Sequence, residues 1–190
     1  SDLPYPDTTH PILVYGTSIT QGGCATRPGM SYTNILSRKL NREVINLGFS
    51  GNGQLDYEIA ELMATRNDAS MFILDFIPNV NATQLTERTN TFFSIIRKAN
   101  PKTPILFVET VIFTHSLYDK YINETIVEKN RLLKAEYEKI KKEGDKNVYY
   151  LTSNDLIGHD GESTVDGIHL TDVGFLRISE ALFKKIKRIE

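Results

Sequence analysis

This chain of 190 residues is short of several things, and each shortage excludes something. Cys24 is its only cysteine, so neither an internal disulfide framework nor a paired-cysteine metal or redox motif can form. No stretch of about 18 apolar residues occurs, so no segment is expected to span a bilayer as a helix. Charge of one sign is missing too: 22 Lys and Arg stand against 24 Asp and Glu, a net −2. That offers no broad field to a phosphate backbone or an anionic lipid surface, so neither nucleic acid nor membrane is an expected partner. There is no Gly/Ser linker, internal repeat or low-complexity tract, which leaves a single domain over 1–190 with residues 1–11 as an N-terminal tail. The polar, Pro-bearing start is not a signal peptide, and a first residue of Ser1 suggests the C-terminal part of a longer protein. The compartment would then be periplasmic or extracellular if a signal peptide preceded it.

What is present is an alternation. Short β-branched or aromatic runs flanked by turn residues lie at Ile12–Tyr15, Val44–Leu47, Met71–Asp75, Ile105–Glu109 and Val148–Leu151. Between them, helical periodicity marks Tyr32–Leu40, Leu55–Ala64, Gln84–Ala99 and Glu124–Glu143, and a last helix follows Thr171, a natural cap. Repeated βα units of this kind predict an α/β fold: a three-layer α/β/α sandwich on a five-stranded parallel sheet, flavodoxin-like in outline. Sites in such sheets form beyond the carboxyl ends of the strands.

The first strand runs into Gly16-Thr17-Ser18-Ile19-Thr20-Gln21-Gly22-Gly23, which presents a hydroxyl at a glycine-bounded turn where a nucleophile belongs. A serine there needs a base, and the base needs an orienting group. Of the four histidines, His169 has the persuasive setting, because Asp166 three residues earlier can fold back onto its Nδ1–H while Nε2 faces the serine. His159, beside Asp160, is the rival. His10 falls in the tail, and His115 has only Asp119 four residues on. Taken singly, a strand-end serine is often a turn or cap residue and an Asp-x-x-His is often a surface pair.

Taken together, four blocks in order resemble the SGNH/GDSL hydrolase family. Val14-Tyr15-Gly16-Thr17-Ser18-Ile19-Thr20 is similar to its nucleophile block, with Thr17 in place of the usual aspartate. Asn46 to Gly53 is similar to the second block, which implies that the Gly51 N–H serves an oxyanion hole. The third block departs most, since Ile77-Pro78-Asn79-Val80 stands where the family has Gly-x-Asn-Asp. The resemblance implies Asn79 as an oxyanion donor, with Asn81 as the alternative. Asp166-Gly167-Ile168-His169-Leu170 closes the set. The implied machine is Ser18, Asp166 and His169 as catalytic residues, with the oxyanion held by the Ser18 N–H, the Gly51 N–H and the Asn79 amide, and with no metal or organic cofactor.

The expected substrate is a small-molecule ester, a short acyl group such as acetyl on a soluble, carbohydrate-like alcohol. Lipases and thioesterases of the same family, or a non-catalytic flavodoxin-like domain that binds small ligands, are the alternatives. Arg27 and Tyr32, just after the nucleophile, are candidate substrate contacts, with a surface arginine and a core tyrosine as the plain alternative. Cys24 is expected to be at least partly buried.

Overall fold

The computed structural model describes residues 5–154 and 156–190. Its five strands are β1 (Asp7–Gly16), β2 (Arg42–Gly48), β3 (Met71–Asp75), β4 (Ile105–Val108) and β5 (Val148–Leu151). They form one sheet in the order β2-β1-β3-β4-β5, parallel throughout. Strand alternation sends Ile12 and Val14 to one face and Leu13 and Tyr15 to the other, and each set enters a separate hydrophobic cluster. The first cluster is completed by α2 (Tyr32–Leu40) and α6 (Asp172–Ile189), the second by α3 (Tyr57–Ala64), α4 (Ala82–Ala99) and most of α5 (Lys120–Lys142). The sandwich expected from the alternating pattern is the one observed.

Differences from the expected boundaries have local causes. β1 begins at Asp7 rather than Ile12, so residues 7–11 belong to the sheet and not to a tail. Asp7 pairs with Arg42 before a register shift that ends at Ile12, and the exposed polar residues between them carry no alternation to reveal a strand. Residues 1–4 of the expected tail lie outside the described residues. Helix α4 starts two residues early because Asn81 and Gln84 form a reciprocal capping box. Helix α5 starts at Lys120 because the Asp119 carboxylate caps the Ile122 N–H. Helix α3 starts late because Leu55 is held at φ 62°, left-handed backbone outside any helix.

Candidate active site

At the carboxyl edge, the chain leaves β1 and turns at once into α1, the single turn Ser18–Gln21, capped by the Thr17 hydroxyl, which accepts from the Ile19 N–H. The turn lies hard against the sheet. A Cβ on Gly16 would sit 1.9 Å from Thr20 Oγ1 and 2.6 Å from the Asp75 carbonyl, and one on Gly48 would sit 2.2 Å from the Gln21 nitrogen. Only glycine fits at either position. From β2, Asn46 donates its side-chain amide to the Thr20 carbonyl (2.7 Å) and to Thr33 Oγ1 (2.9 Å).

Ser18 Oγ is 3.0 Å from His169 Nε2, and His169 Nδ1 is 2.7 Å from Asp166 Oδ2. The other carboxylate oxygen of Asp166 accepts from the backbone N–H groups of Ile168 (2.9 Å) and His169 (2.7 Å). The bond from the imidazole, followed by those backbone donors, holds the Asp166 carboxyl well below the usual carboxylate range. It stays ionised, and an ionised acceptor at Nδ1 puts the neutral ring's proton there and leaves Nε2 as the acceptor facing Ser18. Gly167, at φ 88°, lets the loop turn tightly, and its carbonyl accepts from the His115 N–H (3.0 Å), so the segment around Thr114–Leu117 braces the acid's turn.

A single-turn 3-10 helix, Ile77–Asn79, follows β3. Asn79 Oδ1 accepts from the Gly53 N–H (3.2 Å), which turns the amide nitrogen away from that bond. Among the described residues, the Ser18 N–H, the Gly51 N–H and Asn79 Nδ2 have no protein acceptor. The loop that carries Gly51 is pinned by the Ser50 N–H on Gln21 Oε1 (3.2 Å) and by the Leu55 N–H on the buried Tyr15 hydroxyl (2.8 Å).

Other expectations are corrected. Tyr32 is 0% exposed, and its hydroxyl donates to Asp75 (2.7 Å), so it is a core tyrosine and cannot stack on a substrate. Asn81 is occupied in the α4 cap. Cys24 is exposed, at φ 70°. Arg27 is exposed and lines a depression of about 560 Å³ with Gln21, Gly23 and Ser50. Sequence reasoning missed Asp75, Thr20 and Arg177. The Arg177 guanidinium grips Asp160 through two nitrogens (2.7 and 2.6 Å) and also donates to the Ile157 carbonyl, tying the loop before Asp166 to α6. Asp75 ends β3 and Thr20 lies in the turn after β1, whereas Arg177 lies within α6, where nothing local set it apart.

A serine, a histidine and an aspartate hydrogen-bonded in series at the carboxyl edge of a parallel sheet is the arrangement of an α/β serine hydrolase. The chain matches the model of the GDSL-like lipase/acylhydrolase family over residues 9–187 and belongs to that family. A protein from Bacteroides ovatus named as a GDSL-like lipase is 39% identical with a TM-score of 0.91, over 95% of this chain and 53% of its own. The chain thus spans about half the length of that relative. The aryl esterase of M. smegmatis is 18% identical with a TM-score of 0.71, over 95% of this chain and 100% of its own. A family two carbohydrate esterase from Clostridium thermocellum, solved with cellohexaose, is 17% identical with a TM-score of 0.69, over 99% of this chain and 66% of its own. The last two are alike in fold. No curated protein matches the sequence. Among the described residues no helix is long and apolar enough to cross a membrane.

Proposed function

We propose that this chain hydrolyses carboxylic esters through an acyl-enzyme on Ser18. The observation that carries the reading is the continuous relay from Ser18 Oγ through His169 to Asp166, at 3.0 and 2.7 Å. His169 Nε2 takes the hydroxyl proton as Oγ bonds to the ester carbonyl carbon, and the carbonyl electrons move to the oxygen. That oxyanion meets the Ser18 N–H, the Gly51 N–H and the Asn79 amide, each worth about 10²–10³-fold in kcat. As the tetrahedral adduct collapses, His169 gives its proton to the departing alkoxide. Water, deprotonated by the same nitrogen, repeats the sequence on the acyl-enzyme and frees Ser18. Asp166 holds the ring and stabilises the imidazolium that forms.

For the substrate we propose a short acyl group, such as acetyl, on a carbohydrate-like alcohol. Support comes from a groove of about 820 Å³ beside Asn79, lined by the amides of Gln54, Asn81 and Gln84, the carboxylates of Glu124 and Glu128, and the exposed ring of Tyr121. Such a wall offers hydroxyls both donors and acceptors, with a ring face for a sugar. A second reading, a longer acyl chain, is favoured by an apolar cavity of about 210 Å³ lined by Pro78, Phe113, Ile122, Ile126 and Ile168. A panel of acetylated sugars and p-nitrophenyl esters from acetate to octanoate separates the two. The first reading expects kcat/KM highest for acetyl esters of sugars. A maximum at hexanoate or octanoate overturns it in favour of the second.

A further inference from the structure

One buried carboxyl near the site takes no part in the chemistry above. Asp75 ends β3, is 6% exposed, and pairs in register with Gly16, two residues before Ser18. Its Oδ2 accepts from the Tyr32 hydroxyl (2.7 Å) and the Thr20 hydroxyl (3.1 Å), and those two hydroxyls are 2.9 Å apart. Thr20 and Tyr32 are fully buried. Thr20 lies on α1 itself, two residues after Ser18, and Tyr32 opens α2. The triangle therefore joins the nucleophile's turn to a central strand and to the neighbouring helix.

Stability does not explain a carboxyl here. Burial pushes Asp75 up to about 7 and the Tyr32 phenol well above its ordinary range, the signature of groups held where water would suit them better. Apolar residues of similar volume often fill such positions at no loss. What an apolar residue cannot supply is a fixed azimuth for α1. Because Gly16 lies against both Thr20 and the Asp75 backbone, rotation of that turn has no slack in which to be absorbed, and it would carry Ser18 with it.

We propose that Asp75 is a positioning residue for the nucleophile: acting through Thr20 and Tyr32, it sets the rotation of α1 so that Ser18 Oγ stays on His169 Nε2 and the Ser18 N–H faces the oxyanion. The proposal rests on Ser18 being the nucleophile. It extends the active site by a group that never touches substrate.

The test compares wild type with Asp75→Leu, Asp75→Asn, Thr20→Val and Ser18→Ala. The readouts are the rate of fluorophosphonate labelling at Ser18, kcat and KM on p-nitrophenyl acetate, and the thermal midpoint. Asp75→Leu and Thr20→Val are expected to lower kcat and the labelling rate together by about 10- to 100-fold with KM changed less than about twofold, as a small misplacement of a reacting group does. Asp75→Asn keeps an acceptor oxygen and is expected to recover most of the rate. Thr20→Val, nearly isosteric, carries the test if Asp75→Leu does not fold. Wild-type labelling rates in Thr20→Val and in whichever Asp75 variants fold overturn the proposal, as does a loss of rate that only tracks a loss of folded protein. Failure of wild type to label at Ser18 removes the nucleophile reading, and this proposal falls with it.

Discussion

Ser18 and His169 meet at 3.0 Å, yet the regions that deliver them are held by opposite means. Around Ser18 the restraining groups are mostly buried and distant in sequence: Asn46 reaches across from β2, Tyr32 from α2 and Asp75 from β3. Around His169 they are near and half open to solvent: Asp166 lies three residues away, its side chain 49% exposed against 32% for the histidine. The nucleophile is thus a product of tertiary packing, whereas the base and its acid are set mainly by one turn, with the distant His115 N–H as its brace. Damage near Ser18 should act on the rate through packed neighbours far away in the chain, while damage near His169 should cost rate and leave the fold alone.

The largest expected effect breaks the local half. His169→Ala should reduce kcat about 10⁴-fold or more with the thermal midpoint nearly unchanged, read by steady-state kinetics beside circular dichroism. A fall in the midpoint comparable to that of core variants would dissolve the contrast. The pH profile sharpens it: since Asp166 is held ionised well below the usual carboxylate range, the acid limb of kcat/KM should show a single ionisation, none of it from that carboxyl. Two ionisations on that limb would mean that Asp166 also titrates.

Next come the two asparagines. Asn79→Ala should lower kcat about 10²–10³-fold with KM little changed, as loss of an oxyanion donor does. Asn81→Ala should leave kcat within about twofold and lower stability by roughly 1 kcal/mol, as loss of a cap does. Exchanged outcomes would move the oxyanion role to Asn81. Arg177→Ala should act more mildly, by about tenfold or less in kcat, and hydrogen exchange should report faster opening of the 157–163 backbone, since that side chain binds the loop at several points.

The smallest effect concerns pH and the distal half. Asp75, ordinarily near 3.8, is raised to about 7, so the folded protein keeps a proton there that the unfolded chain releases. That stabilising contribution is complete below about pH 4 and drains away as pH rises to about 7. Asp75→Asn, which cannot ionise, should narrow the difference between midpoints measured at pH 5 and pH 8. Equal pH dependence in the two proteins would place the carboxyl in a more polar environment than its burial indicates.

The same contrast explains what the sequence made legible. The sheet, the order of its helices and the Asp166/His169 pair could be read because periodicity and an i,i+3 spacing are local properties. Thr17 in place of the family's aspartate did not obscure Ser18, because the strand, the turn and Gly16 still framed it. Asp75 was seen only as the end of a strand, since its partners Thr20 and Tyr32 lie 55 and 43 residues away and nothing local marks a carboxyl as buried. Tyr32 was left with two readings for the same reason: an aromatic after that loop could face either way, and its bond to the Asp75 carboxyl decides for the core. Residues 7–11 escaped because an edge of polar residues has no apolar rhythm.

Every role proposed for the site depends on Ser18 being the nucleophile served by His169. Intact-mass analysis after fluorophosphonate treatment, paired with hydrolysis of p-nitrophenyl acetate, tests it most directly. One adduct is expected, mapped to Ser18, with both adduct and hydrolysis lost in Ser18→Ala. An adduct elsewhere, or a Ser18→Ala protein that hydrolyses as fast as wild type, would contradict it.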